Sequence, residues 1–202
     1  ETEILTVPLA TRDFRTVVER IQRANPDIVT MCLGQAHVAS LLPALASSGY
    51  AGIFLSMDTG IGHKTLLDAV PADAGLTVYS YGRYSAEPSE PGEGVAALNA
   101  ALETAGQGGF TASASGGWVL GLAVGRALDL CGPDCERPEE FAAALGQSDL
   151  DTAGLTGAPV RITADDHFGP SAYRLYRLDN AARSFAPVGD WLQVGSDGSI
   201  TQ

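Results

Sequence analysis

The residues from 25 to 58 constrain the fold most, because they are patterned as a strand, a helix and a second strand. Residues 28–33 (IVTMCL) form a nearly all-apolar run, which is typical of a parallel strand covered on both faces. An apolar-rich segment follows, and Gly49 predicts the end of a helix. A second apolar run, residues 52–55, closes the unit. The pattern predicts a β-α-β unit.

Polar residues are gathered where each of these two strands ends. Gly34 and Gln35 follow the first strand, and Ser56, Asp58 and Thr59 come at the end of the second. Ligands of open α/β sheets bind beyond the carboxyl ends of the strands. The Asp58 carboxylate, beside two hydroxyls, would accept charge-assisted hydrogen bonds from a ligand ammonium group. Taken alone, Asp58 is more simply a turn or helix-capping residue, and Gln35 either binds a ligand or caps the following helix.

The first 81 residues predict a parallel sheet. A strand over 4–9, a helix with apolar residues at 14, 17, 18 and 21, a short helix near 64–70 and a strand over 76–81 surround the β-α-β unit. The order β-α-β-α-β-α-β is the signature of parallel strands with helical crossovers. The fold class is therefore α/β, with helices on both faces of the sheet.

The second half of the chain differs in character. Residues 85–94 are rich in Pro, Gly and Glu and predict a loop or linker. Small residues at 117, 121 and 125 line one face of a predicted helix, which indicates close packing against a neighbour. The predicted helices are 95–105, 118–130 and 138–145, and the predicted strands are 160–163, 172–178 and 185–194, the last two joined as a hairpin.

The charge balance excludes two classes of partner. Acidic residues outnumber basic ones 24 to 12, and Lys64 is the one lysine. A net charge of −12 argues against nucleic acid, which requires clustered Lys and Arg, and against anionic lipid surfaces. The charge is otherwise that of a solvated acidic surface, and no apolar run reaches transmembrane length.

The sequence allows two interpretations of two of its three cysteines. Cys131 and Cys135 flank Gly-Pro-Asp, so they form either a tight local disulfide, typical of an oxidising compartment, or two free thiols. Cys32 is expected to be a small core residue. Residues 165–167 (DDH) suggest a metal site, but three adjacent side chains rarely converge on one ion, and a solvated turn is the simpler interpretation. We predict no metal.

Catalytic motifs are not found in the sequence. It contains no G-x-S-x-G, no P-loop, no H-E-x-x-H and no G-x-G-x-x-G after a strand. Ser113 and Ser115 lie at a helix start, where backbone N–H groups bind carboxylates, but no obvious base accompanies them. We therefore predict a protein that is not an enzyme and uses no cofactor; a hydrolase-like activity is the disfavoured alternative.

The order of these segments resembles a known family. Residues 13–27, followed by strand, helix and Gly49-Tyr50, resemble the C-terminal half of type I periplasmic binding proteins, and most of all the branched-chain amino-acid receptors of ABC transporters. Residues 78–81 (VYSY) are similar to that family's second inter-lobe crossing. Residues 115–130 resemble the helix that follows, and residues 169–177 with 189–191 resemble its closing hairpin.

The resemblance implies two α/β lobes joined by three crossings, with the ligand between them. Residues 1–80 and 164–202 would form the C-terminal lobe, and residues 85–163 would be the returning part of the N-terminal lobe. The family's first portion, which supplies most of the N-terminal sheet, lacks a counterpart. The N-terminal lobe is therefore expected to be incomplete.

The resemblance also implies roles for individual residues. Asp58 falls where these receptors place an acidic partner for the ligand amino group, with Ser56 and Thr59 beside it. Gly34-Gln35 replaces an aromatic residue, which argues against a branched-chain preference and leaves room for a larger or more polar ligand. The loop 110–115, with Ser113 and Ser115, falls near the hinge side of the cleft.

The expected function is an extracellular or periplasmic receptor for an amino acid or similar small amine-bearing solute. Its partners would be the solute and an ABC permease, and the intact precursor is expected to be membrane-anchored. The alternative is a ligand-sensing regulatory domain of the same fold. Because residues 85–163 lack a sheet to cover their apolar faces, we also expect a missing N-terminal companion segment or self-association. A monodisperse monomer without a second polypeptide would contradict this.

Overall fold

The computed structural model describes residues 2–57, 63–83, 85–107, 112–133, 135–195 and 197–201. In chain order its elements are α1 (Arg15–Ala24), β1 (Ile28–Met31), α2 (Gln35–Ser47), β2 (Ile53–Met57), α3 (His63–Ala69), β3 (Thr77–Arg83), α4 (Glu93–Thr104), α5 (Ala112–Cys131), α6 (Pro138–Leu145), β4 (Ser148–Leu150), β5 (Val160–Ile162), β6 (Ala172–Asp179), β7 (Ser184–Val194) and β8 (Ile200–Thr201). In the first half of the chain, helices and strands alternate as predicted from β1 onward. The arrangement after it begins with three helices in succession.

A parallel sheet forms the centre of the first half. β1 pairs with β2 and β2 with β3, both in parallel, and the full strand order is β1-β2-β3-β6-β7-β8. β4 and β5 form a separate antiparallel pair. The predicted α/β class with a parallel sheet and flanking helices is confirmed.

The first strand of the β-α-β unit is less covered than its apolar sequence predicts. β1 lies at the edge of the sheet, and Ile28 is 52% exposed. The strand ends at Met31, so Cys32 lies beyond it and is an exposed free thiol. The expectation that Cys32 is a core residue is wrong, because an apolar run does not reveal whether its strand is central or at an edge.

The predicted strand over residues 4–9 is also wrong. The segment has no regular secondary structure, and the side chains of Ile4 and Leu9 are almost fully exposed. Its backbone carbonyls are used elsewhere: Pro8 O accepts a hydrogen bond from Thr11 N at 2.9 Å, and Leu9 O lies 3.1 Å from His37 Nε2. Those contacts hold the segment as a turn against α2 rather than as a strand.

The chain divides into two compact units. Unit 1 comprises Glu1–Tyr81 and Leu175–Val188, and unit 2 comprises Gly82–Arg174 and Gly189–Gln202. The resemblance instead assigns residues 164–174 and 189–202 to the C-terminal lobe; that lobe assignment stays a prediction.

Unit 1 has one hydrophobic core, built where α1, α2 and α3 meet the strands. Its fully buried side chains include Val38, Leu42 and Leu45 of α2, together with Phe54 of β2. The spacing of the α2 residues places them on one helical face, so the core follows directly from the 3.6-residue period.

Tyr50 joins the end of α2 to the start of β1. Its ring is buried, and its hydroxyl donates to Pro26 O at 3.0 Å. Burial raises the pKa of Tyr50 above its ordinary value, and the negative charge of Asp27 raises it further. The phenol therefore keeps its proton, and with it the hydrogen bond, at alkaline pH.

The β6–β7 turn closes unit 1 against the end of α3. Arg183 Nη1 donates to Val70 O at 3.0 Å, and Asn180 Nδ2 donates to Ala74 O at 3.2 Å. Arg183 Nη2 also donates to Leu67 O in the last turn of α3, where helix carbonyls lack partners within the helix; Ala74 O belongs to the loop that follows. The hairpin thus satisfies backbone acceptors that the short helix leaves open.

Unit 2 has a smaller core under α4 and α5. Its buried apolar side chains are Ala86, Val95, Leu98, Val119, Leu155 and Val160, with Trp118 and Trp191 packed against them. α4 approaches the loop between β4 and β5 closely, since a Cβ at Gly94 would lie 2.2 Å from Thr152 O. Only glycine fits at that position.

The buried and exposed faces of α5 are the reverse of what side-chain size suggests. Its buried stripe is Ser115, Val119, Ala123 and Ala127, whereas its larger residues, Leu120, Val124, Leu128 and Leu130, are exposed. A Cβ at Gly117, Gly121 or Gly125 would meet nothing within 4 Å. The expected close packing on these glycines is therefore wrong for the described part of the chain. Among the described helices, none combines the length and apolarity needed to cross a membrane.

Candidate functional site

A row of paired residues crosses the three parallel strands. In register, Met31 of β1 pairs with Ser56 of β2, and Ser56 pairs with Ser80 of β3. Met31 and Ser56 lie at the carboxyl ends of their strands, whereas β3 continues for three residues beyond Ser80. Both serines are fully buried. Because directly paired residues of neighbouring strands face the same side of a sheet, the two side chains share one face near the end of β2, and ligands of α/β sheets bind beyond such strand ends.

Ser80 was not singled out by sequence reasoning. Its Oγ is buried and has no hydrogen-bond partner among the described residues, and a buried hydroxyl in that state is costly. The signal available in the sequence was a serine between Tyr79 and Tyr81 at the end of an apolar strand. Ser56 is only slightly better satisfied, since Met57 O lies 3.5 Å from its Oγ.

The predicted amine anchor follows this row directly in the sequence. Asp58 and Thr59 are the next two residues after Met57, the last residue of β2, and both lie outside the described residues. The predicted ligand roles of Asp58, Thr59 and Ser56 stay predictions.

The other predicted residues of unit 1 lie at the start of α2. Gly34 is the N-cap residue, in extended conformation and without a side-chain cap, and its carbonyl accepts from His37 N and Val38 N at 3.0 and 3.2 Å. Gln35 is the first helical residue, and its side chain lies outside the described part of the chain. The first N–H groups of a helix lack partners within it and carry partial positive charge.

His37 has a structural role rather than a ligand-binding one. Its ring is buried, contacts Leu9 O at 3.1 Å, and packs edge-on against Phe14 with ring centroids 5.8 Å apart. These contacts fix α2 against the N-terminal segment. They also orient the start of the helix, where Gly34 and Gln35 lie.

The two predicted serines of α5 differ in their surroundings. Ser115 is buried, with its Oγ 2.9 Å from Ser85 Oγ, whereas Ser113 is exposed. Residues 110 and 111 of the predicted loop lie outside the described residues. The structure therefore gives Ser115 a packing contact within unit 2, and the ligand roles of both serines stay predictions.

Cys131 and Cys135 are joined by a disulfide, with their Cα atoms 5.4 Å apart. The bond closes the C-terminal end of α5, beside a surface groove lined by that end and by α6. Among the described residues that line the groove, Glu140 is the charged one, and it is paired with Arg137. No group of three His, Cys, Asp or Glu side chains in the described ranges is placed to hold a metal ion.

The fold is that of an α/β protein, with its candidate site near the carboxyl ends of parallel strands. The sequence profile of a family described as periplasmic binding protein matches residues 3–183. The chain belongs to that family. No curated protein matches the sequence significantly.

Solved structures of solute-binding proteins share the fold. An ABC-transporter substrate-binding protein from Aeropyrum pernix is 16% identical with a TM-score of 0.75, covering 91% of this chain and 48% of that one. A branched-chain amino acid ABC transporter protein from Thermus thermophilus, with bound valine, is 16% identical with a TM-score of 0.75 (90% and 50%). An R. palustris solute-binding protein in complex with 4-hydroxybenzoate is 18% identical with a TM-score of 0.74 (94% and 51%). The chain thus spans about half the length of each.

Proposed function

We propose that this chain is part of an extracellular or periplasmic solute-binding receptor of an ABC transporter, and that its solute is an amino acid or a similar small amine-bearing molecule. The observation that carries the proposal is the pairing of Ser56 with Ser80 near the carboxyl end of β2, which Asp58 follows in the sequence. Family membership supports a role in binding rather than catalysis. The solute would be held between two lobes that close on it, and a permease would recognise the closed form.

Asp58 is the residue on which the amine preference rests. The related structures hold both a solute with an amino group, valine, and one without, 4-hydroxybenzoate, so the fold alone does not select an amine. A carboxylate in a water-poor cleft does, because it accepts charge-assisted hydrogen bonds from an ammonium group. The buried hydroxyls of Ser56 and Ser80 make the sheet polar near the end of β2.

Calorimetry on the intact receptor with a panel of amino acids tests this role. We expect the Asp58→Ala substitution to weaken binding by about 2–5 kcal/mol, since it removes one partner of a desolvated charge pair. Asp73→Ala, which removes an exposed carboxylate from the same unit, is the matched control and should bind like the unsubstituted protein. An amino-acid panel without a binder, or unchanged affinity in Asp58→Ala, would contradict the proposal.

The proposal must also explain why one face of α5 carries exposed apolar side chains. We infer that this face packs against the polypeptide that supplies the rest of the family fold, because the chain spans only about half of its solved relatives. Three large apolar side chains four residues apart, Leu120, Val124 and Leu128, form one stripe there. When that companion is missing, the stripe is expected to drive self-association. In the intact precursor, a membrane anchor would hold the receptor near its permease.

A further inference from the structure

The backbone passes between the two units at three points. The side chain of Arg174, at the second of these points, contacts residues that follow the other two. The crossings follow Tyr81, Arg174 and Val188. On the unit 2 side, the first crossing leads into the loop 85–92, the second begins at Arg174, and the third leads into Gly189 and Trp191. Arg174 is therefore the last residue of unit 2 before the second crossing.

Arg174 reaches the other two crossing segments through its guanidinium group. Its Nη1 donates to Glu90 Oε2 at 2.8 Å, and its Nε donates to Gly189 O at 3.0 Å. Its Cζ lies 5.5 Å from the ring centroid of Trp191, within cation–π distance. We refer to Arg174, Glu90, Gly189 and Trp191 as the Arg174 cluster; all four belong to unit 2.

Glu90 is itself held rigidly. Its Oε1 accepts from Glu87 N at 2.7 Å, and its own N–H donates to Glu87 O at 3.0 Å. The same loop is tied to the unit 2 core, since Ala86 N donates to Leu155 O at 2.8 Å. The loop thus presents a carboxylate whose position is already fixed when Arg174 binds it.

Trp191 is also held from its other side. A Cβ at Gly157 would lie 2.2 Å from Trp191 Cδ2, so the indole rests against a backbone that only glycine permits. The ring packs against the unit 2 core. Arg174 therefore has a fixed anion and a fixed aromatic surface as its partners.

The Arg174–Glu90 pair is more buried than the other ion pairs in which both partners are described residues. Its side chains are 16% and 18% exposed, whereas those of Arg161–Asp149 are 69% and 59% exposed. Water screens a partly buried pair less, and the planar guanidinium holds several acceptors in a fixed geometry. The two pairs lie in the same unit and have the same chemistry, so the second is a natural control for the first.

We propose that Arg174 is a positioning residue that anchors the three crossing segments to unit 2 and thereby sets how freely the two units move relative to each other. Closure of a binding protein concentrates its backbone rotations in a few residues that join the moving bodies. By joining the unit 2 ends of the second and third segments to the loop that follows the first, the Arg174 cluster restricts those rotations. The link between Arg174 and solute affinity rests on the proposed function, whereas the anchoring of the crossing segments is independent of it.

The anchoring is tested on this chain without solute. Spin labels at Arg23→Cys in unit 1 and Glu139→Cys in unit 2, two exposed positions, with Cys32→Ser to remove the free thiol, report inter-unit distances by double electron–electron resonance. We expect Arg174→Met to broaden the distance distribution about twofold, because it removes the donors and the charge but keeps the stem. Glu90→Gln should broaden it less, and Arg161→Met should leave it unchanged.

A purely structural role would predict a different outcome. Arg174→Met would then lower the free energy of unfolding without changing the distance distribution of the folded protein, and that result would overturn the proposal. Should Arg174→Met fail to fold, Glu90→Gln carries the test, because it keeps side-chain volume and an acceptor oxygen while removing the charge. A Glu90→Gln distribution as narrow as that of the parent would then reject the anchoring.

In the intact receptor, Arg174→Met should bind its amino acid about tenfold more weakly, since a less confined open state competes better with the closed one. Arg161→Met should bind normally. If no amino acid binds the unsubstituted receptor, the proposed function fails while the distance measurement still decides the anchoring. If amino acids bind but Arg174→Met changes neither affinity nor distances, the anchoring fails and the proposed function stands.

Discussion

Helices α2 and α5 are similar in sequence character and opposite in environment. Both are rich in apolar residues and nearly free of charge. In α2 the large residues Leu41, Leu42 and Leu45 are buried in the unit 1 core. In α5 the buried positions are mostly small, whereas Leu120 is 64% and Leu128 50% exposed.

The difference shows what an apolar helix sequence does and does not specify. It specifies that a face is to be buried, because apolar area gains free energy when it leaves water. It does not specify the partner. α2 finds its partners within unit 1, among them α1 and α3, whereas α5 contacts α6 and β4 and leaves Leu120, Val124 and Leu128 exposed.

The largest expected effect comes from truncating the buried face of α2. Leu42→Ala should lower the free energy of unfolding by about 2–5 kcal/mol, because the fully buried side chain leaves a cavity that the core fills only in part. Urea denaturation followed by circular dichroism measures the loss.

The matched control is Leu120→Ala in α5, which should change the free energy of unfolding by less than about 0.5 kcal/mol, as is usual for exposed sites. Equal losses for the two leucines would break the comparison, since they would mean that the α5 face is already buried in the isolated chain.

A smaller effect on the free energy of unfolding is expected at Tyr50, which is buried just beyond α2. Because the folded-state pKa of Tyr50 is raised, its contribution to stability is fully present below the unfolded-state pKa of about 10 and is lost as the pH rises through the folded value. Tyr50→Phe should cost about 1 kcal/mol at neutral pH through the lost hydrogen bond to Pro26 O. It should also flatten the alkaline decline in unfolding free energy between about pH 9 and 11. An unchanged decline would show that the Tyr50 phenol ionises equally in both states.

The smallest effect on stability is expected at the exposed face of α5. Substitutions there should instead have a large effect on self-association. Leu120→Glu combined with Leu128→Glu should leave the free energy of unfolding within about 0.5 kcal/mol of the parent but reduce self-association of the isolated chain. Multi-angle light scattering over a concentration series measures the change. A parent chain that stays monomeric, with no second polypeptide detected by mass spectrometry, would contradict the assignment of this face to a companion.

Much of the fold was predictable because hydrophobic periodicity is a local signal. α6 matches its predicted bounds, 138–145, and the hairpin of β6 and β7 was predicted to within a residue or so at each end. The predictions that were wrong share a cause. Residues 4–9 have strand-like composition, yet Pro8 and Leu9 take part in a turn against His37, and β1 lies at a sheet edge. Whether an apolar segment pairs, and with what, depends on distant residues that no local pattern contains.

The candidate site was predictable in position but not in detail. The rule that ligands bind beyond the carboxyl ends of strands led directly to the end of β2. It did not lead to Ser80, because only the strand register brings that hydroxyl beside Ser56. Ser115 looked equally available in the sequence, but its contact with Ser85 joins residues 30 positions apart and required the folded structure.

The placement of the two tryptophans has a practical consequence. The sequence contains two, and both Trp118 and Trp191 pack against the unit 2 core. Intrinsic indole fluorescence is therefore a reporter of unit 2 alone, whereas circular dichroism follows the helices of both units. Monitoring one denaturation with both signals separates the melting of the two units without any label, and the quantum yield of Trp191 in particular reports on whether the guanidinium of Arg174 still lies over its ring.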